Sequence, residues 1–88
     1  MPYALEFRKH VEKEFERIAK KSPIEEEAIK KKLVEILENP RRFKSLKKPM
    51  RGWWRVHIVK SFVLIYSIDE TRKTVIIEDY THHDNAYS

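Results

Sequence analysis

Cysteine is absent, so neither a disulfide framework nor a thiolate-bound metal is open to this chain. Glycine occurs once, at Gly52, which leaves no loop able to cradle a phosphate on backbone N–H groups. Glutamine is missing and asparagine appears only at Asn39 and Asn85, while lysine and glutamate are abundant. That bias is the one expected of a thermophile's protein. No apolar run approaches the roughly 20 residues needed to cross a bilayer. The segment after Met1, PYALEFRKH, lacks the layout of a secretory leader. The expectation is a cytoplasmic protein with no membrane role. Its 88 residues suffice for one hydrophobic core, hence one domain over residues 1–88.

Acidic residues are missing too, but only locally. None lies between Glu38 and Asp69, an interval that holds Arg41, Arg42, Lys44, Lys47, Lys48, Arg51, Arg55 and Lys60. These are eight of the 19 lysines and arginines, so the net charge of +5 has its source here and the rest of the chain is net negative. A merely solvated basic face normally interleaves glutamate. An uninterrupted one is expected to meet a polyanion such as RNA.

The pattern of apolar residues gives an α+β order of β-α-α-β-β-β. Tyr3 to Phe7 reads as a strand. Val11, Phe15, Ile18 and Ala19 mark one face of a helix from about Lys9 to Lys21. Ser22-Pro23-Ile24-Glu25 starts a second helix: Ser22 as N-cap, Pro23 at the first helical position and Glu25 closing a capping box. Ile29, Leu33, Ile36 and Leu37 continue its buried face, and Asn39-Pro40 ends it. Arg41 to Gly52 reads as basic and irregular. Three strands follow, Trp53–Val59, Phe62–Ile68 and Thr74–Tyr80, as an antiparallel meander with the middle strand central. On the first of them Trp54, Val56 and Ile58 face one way and Trp53, Arg55 and His57 the other. The helix hairpin is expected to cover one face of an antiparallel sheet, leaving Arg55 and His57 on the other.

Cleaving RNA through its own 2′-hydroxyl needs a base, an acid, and cations for the phosphate. Histidine suits the first two roles because it titrates near neutrality; arginine and lysine suit the third. The candidates are His57, His82 and His83, with Tyr87 as a further proton donor. Lys47, Lys48, Arg51 and Arg55 are the phosphate binders, supported by Arg41, Arg42 and Lys44. His57 ends one strand and His82 follows the last; if those strands are neighbours, both side chains reach one concave patch. Each residue also has a plainer reading. His57 is equally well a half-exposed strand residue, and His82-His83-Asp84 a solvated tail. One of Trp53 and Trp54 is core, and the other stacks on a base or packs on a loop. His10 reads as helix surface, and Glu25, Glu26 and Glu27 favour the helix dipole. Adjacent histidines hold one ion poorly and no HExxH spacing occurs, so no metal is expected.

Three segments, in order, resemble the RelE/ParE toxin superfamily: YALEF with the charged helix after it, LKKPMRGWWRVHI, and VLIYSIDETRKTVIIEDYTHHDNAY. The likeness spans nearly the whole chain; its specificity lies in the order and spacing of the segments rather than in any one motif. The branch it most resembles is YafQ. HIVKSFVLIY puts His57 where that family has a histidine just before its apolar strand, and Thr81-His82 matches its Thr-His motif. The resemblance implies that His57 and His82 are catalytic, that Arg55 corresponds to an arginine lining the RelE site, and that Tyr87 corresponds to a late tyrosine used there. The chain departs from the pattern at Ser61, where the family has an aspartate, and at Lys48, where it has a histidine. A second RelE-type arginine is replaced near Phe62 or Val63. The implied fold is a RelE-like sandwich. The implied function is the toxin of a type II toxin–antitoxin system, a ribosome-dependent endoribonuclease cutting mRNA without cofactor. Its implied partners are a RelB/DinJ-like antitoxin, mRNA and the ribosomal A site. The same fold also serves ParE-like inhibitors of DNA gyrase, and a degenerate relative could bind only RNA or antitoxin. The ParE-like function does not need His57 and His82, so their presence favours the nuclease over it, while the missing carboxylate at Ser61 keeps the degenerate relative open.

Overall fold

The computed structural model describes residues 3–46, 52–59 and 61–82. The elements are β1 (Ala4–Phe7), α1 (Lys9–Lys21), α2 (Pro23–Glu38), a 3-10 turn over Pro40–Arg42, β2 (Lys44–Ser45), β3 (Trp53–His57), β4 (Phe62–Asp69) and β5 (Thr74–His82). The five strands form one sheet in the order β1-β5-β4-β3-β2. The expected α+β class and RelE-like order hold. Three details differ. The sheet is mixed, because β1 runs parallel to β5, Ala4 beside Thr74 and Phe7 beside Ile77. A short strand, β2, lies in the stretch that reads as irregular, pairing Lys44 with Arg55 and Ser45 with Trp54. Finally, β5 runs on through Thr81 and His82 instead of ending at Tyr80.

The helix boundaries follow from local chemistry. Ser22 Oγ accepts the Glu25 N–H at 3.4 Å, and Pro23 occupies the first turn, where its missing N–H costs nothing. The reciprocal half of the capping box is not made. The Ser22 N–H already donates to the Ile18 carbonyl of α1, and the Glu25 carboxylate instead accepts from the Tyr80 hydroxyl. With no loop between the helices, one residue closes the first and opens the second.

The core lies between the helices and one sheet face. Val11 and Ile18 of α1 and Ile29 and Ile36 of α2 meet Val56, Leu64, Tyr66, Val75, Ile77 and Tyr80. Phe15, Leu33 and Leu37 pack against them, whereas Ala19, expected on the buried stripe, is exposed. Tyr66 is fully buried, and its hydroxyl donates to the Pro40 carbonyl at 2.6 Å. Among the described residues no helix is long and apolar enough to cross a membrane.

Candidate functional site

The sheet face turned away from the helices carries the polar side chains, and the pairing register arranges them in three rows across the strands. In the first, Trp53 pairs with Ser67, whose hydroxyl reaches Glu78, and Glu78 in turn holds Arg8. The second runs Lys44, Arg55, Ile65, Asp79, with Asp79 meeting His10. The third is His57, Val63, Thr81. Val63 and Ile65 are buried on this face, with Leu46 and Trp53 packed on them. Arg55 is half-buried, while His57 and Lys44 are exposed.

A β-bulge between Ile65 and Tyr66 explains how two carboxylates reach this face. The register jumps there from Asp79 opposite Ile65 to Ile77 opposite Tyr66, leaving Glu78 as the extra residue. Ile77 and Tyr80 therefore both enter the core although they are three apart, and Glu78 and Asp79 both stand on the opposite face. The side chain of Glu78 is 8% exposed. Burial alone raises its carboxyl, but hydrogen bonds from Arg8 (Nε at 2.8 Å) and Ser67 (Oγ at 2.7 Å), with the charge of Arg8, outweigh that and hold it below the usual range.

The expected meeting of His57 and His82 does not occur. β4 lies between their strands. The pairing of His57 with Val63 puts it on the face away from the helices. The pairing of His82 with Phe62 puts it on the helix side, where its ring meets Phe62 edge-on with centroids 5.7 Å apart. The residue of β5 that shares the face of His57 is Thr81. The two histidines thus occupy one end of the sheet and opposite sides of it.

Arg41 and Arg42 are also placed otherwise than their sequence neighbours imply. Arg41 pairs with Glu70 in the β4–β5 turn, at the far end of β4 from His57. Arg42 lies 3.7 Å from Glu35 of α2 and over the ring of Phe43. The acid of Arg41 is distant in sequence, and that of Arg42 lies on the helix just before it. Lys44 does join Arg55, directly across the strand pair. Lys47, Lys48, Arg51, His83 and Tyr87 lie outside the described residues. The group formed by His10, Glu78 and Asp79 escaped the sequence reading. Its one legible sign was two consecutive polar residues between the core positions Ile77 and Tyr80, which breaks the alternation of a regular strand.

Comparison with known proteins adds to this geometry. A family model described as "ParE toxin of type II toxin-antitoxin system, parDE" matches residues 3–87. An uncharacterized protein of Methanosarcina mazei is 51% identical over 85 residues, spanning 97% of this chain and 99% of its own. A Methanocaldococcus jannaschii protein named "Putative toxin RelE4" is 42% identical over 85 residues, spanning 97% of this chain and 90% of its own. Among solved structures, a chain of the intact E. coli RelBE toxin-antitoxin complex is 27% identical with a TM-score of 0.76, over 91% of this chain and 95% of that one.

Proposed function

The chain belongs to the RelE/ParE superfamily of type II toxin–antitoxin toxins, and from that premise we propose that it is a cytoplasmic, ribosome-dependent endoribonuclease that cuts mRNA. The observation that carries the reading is the placement of Arg55 and His57 two residues apart on β3. They share the face away from the helices, with Lys44 opposite Arg55. The two residues are spaced about 7 Å apart along the backbone of the strand, close enough for their side chains to engage one phosphate and its ribose.

In the proposed reaction Arg55 and Lys44 hold the phosphate, joined by Lys47, Lys48 and Arg51 from the segment leading into β3. His57 takes the proton of the 2′-hydroxyl as that oxygen bonds to phosphorus. The bond from phosphorus to the 5′-oxygen breaks, and the departing oxygen takes a proton from a second group, the role the family resemblance gives to Tyr87. The products are a 2′,3′-cyclic phosphate and a 5′-hydroxyl. Every step uses side chains of this chain, so no metal or cofactor is assigned. Ribosomal RNA of the A site orients the message, a task for which so small a protein has little surface. A RelB/DinJ-like antitoxin holds the toxin inactive, as the toxin–antitoxin complex of the E. coli relative suggests.

In this proposal His82 has a different part, one suited to its pairing with Phe62. From the helix side it cannot reach a phosphate lying on Arg55. It is the last residue of β5, and its ring on Phe62 fixes the end of the strand from which the chain continues to Tyr87. Single-turnover cleavage of mRNA in a reconstituted translation reaction tests these assignments together. His57→Ala is expected to slow cleavage by about 10²–10⁴, the usual contribution of a proton-transfer group. His82→Phe, which keeps a ring against Phe62, is expected to stay near the wild-type rate where His82→Ala does not. Equal losses in His82→Phe and His82→Ala would return His82 to proton transfer, and full activity in His57→Ala would remove His57 from it.

A further inference from the structure

Beside the row of Trp53, Ser67 and Glu78 lies a shallow groove, lined by Arg8, Lys9, His10, Trp53, Glu78 and Asp79, to which the reaction above assigns no part. It opens on the same sheet face as Arg55 and His57. Trp53, Arg55 and His57 are alternate residues of one strand, so Trp53 stands roughly 13 Å from His57 along that face. A single strand of RNA with its reacting phosphate at Arg55 passes along β3 toward Trp53 without leaving the sheet.

The chemistry of the groove is that of a base reader rather than a phosphate trap. Its two carboxylates are both engaged: Glu78 is bound bidentately by Arg8, at 2.8 and 3.2 Å, and Asp79 faces the His10 ring at 3.3 Å. The Arg8 charge is thereby matched by Glu78, and Lys9 is the other fixed cation of the lining. What the groove offers is a flat indole packed on the Val63 and Ile65 cluster and a fixed hydrogen-bond acceptor. Asp79 Oδ1 takes the Tyr80 N–H at 2.9 Å and the His10 ring, which locks the carboxylate plane; Oδ2 has no hydrogen-bond partner among the described residues. A carboxylate oxygen held this way accepts the exocyclic amino group of adenine, cytosine or guanine. Uracil has no such group.

We propose that this groove is a nucleobase subsite, in which Trp53 stacks a base flanking the cut and Asp79 selects one bearing an amino group. The proposal rests on the nuclease reading for the path of the strand, but its test does not require cleavage. In a Trp54→Phe background Trp53 is the only tryptophan of the two in the chain. Its fluorescence is read during titration with short oligoadenylate, oligocytidylate and oligouridylate. Quenching is expected at lower concentration with the first two than with oligouridylate. Trp53→Leu, which keeps apolar cover on Ile65, is expected to weaken oligoadenylate binding roughly 5- to 100-fold, measured by anisotropy of a labelled strand, as loss of one stacked base does. Asp79→Ala is expected to leave the quenching and erase the discrimination against uridine. Absence of quenching, or quenching equal for all three strands, overturns the subsite even if the wild type cuts mRNA. Selective quenching in a protein that never cuts upholds the subsite and removes the nuclease.

Discussion

Tyr66 shows how a single side chain ties the basic stretch to the core. It is fully buried in β4, and burial pushes its phenol well above the ordinary tyrosine value, which favours the neutral, donating form. It donates to the carbonyl of Pro40, itself buried, where α2 gives way to the turn that begins the cationic segment. Tyr66→Phe keeps the ring and orphans that carbonyl, so thermal or urea unfolding is expected to show a loss of about 1–2 kcal/mol. Glu70 is a second case. Hydrogen bonds from Arg41, Lys73 and Tyr3 lower its carboxyl from 4.5 to about 2. A depressed folded value means that the stabilisation is present above pH 4.5 and is lost as the pH falls through about 2. The melting-temperature gap between wild type and Glu70→Gln is expected to be widest above pH 4.5 and to close below it; a gap independent of pH would contradict the ion pairs as its source. The site is exposed, so the gap is small. Glu70 also shows where the charge pattern of the sequence misleads. The interval from Arg41 to Lys60 has no acid of its own, but Glu70 comes to Arg41 through the fold, a pairing that sequence separation conceals, and Glu35 at the end of α2 lies beside Arg42.

At the level of elements, the helices were the most legible part, because their signals are local. Ser22 and Pro23 mark a boundary that needs no tertiary information, and Ser22→Ala is expected to cost about 1 kcal/mol in chemical denaturation, the ordinary worth of an N-cap. The second half of the capping box failed because a tertiary partner, Tyr80, took the carboxylate of Glu25. The alternation of Trp53 to Ile58 was correct on both faces, since a strand's period is fixed by its pleat. Strand order was not available from the same pattern. That β1 closes the sheet parallel to β5, and that β4 separates β3 from β5, depends on how the helix hairpin returns the chain. The bulge at Glu78 then shifts the later part of β5 by one residue. That shift turns Tyr80 and His82 toward the helices and Thr81 toward His57. The two histidines that the sequence brings together are parted by this one inserted residue and one intervening strand.

At the level of the whole molecule, the two sheet faces divide the work. One is closed by the helix hairpin and supplies the core; the other presents His57 toward one end, Lys44, Arg55 and Asp79 in a row across its middle, and Trp53 with Ser67 and Glu78 toward the other end. Membership of the toxin superfamily was legible from the order of its segments, because order and spacing survive where individual motifs drift. The most direct measurement of the proposed activity is primer-extension mapping of an mRNA incubated with the wild-type protein, with and without translating ribosomes. Cuts phased with the reading frame, present only with ribosomes and ending in a 5′-hydroxyl, are the predicted result. An uncut message in the presence of folded protein and active ribosomes, or cutting that proceeds equally on naked RNA, would contradict it.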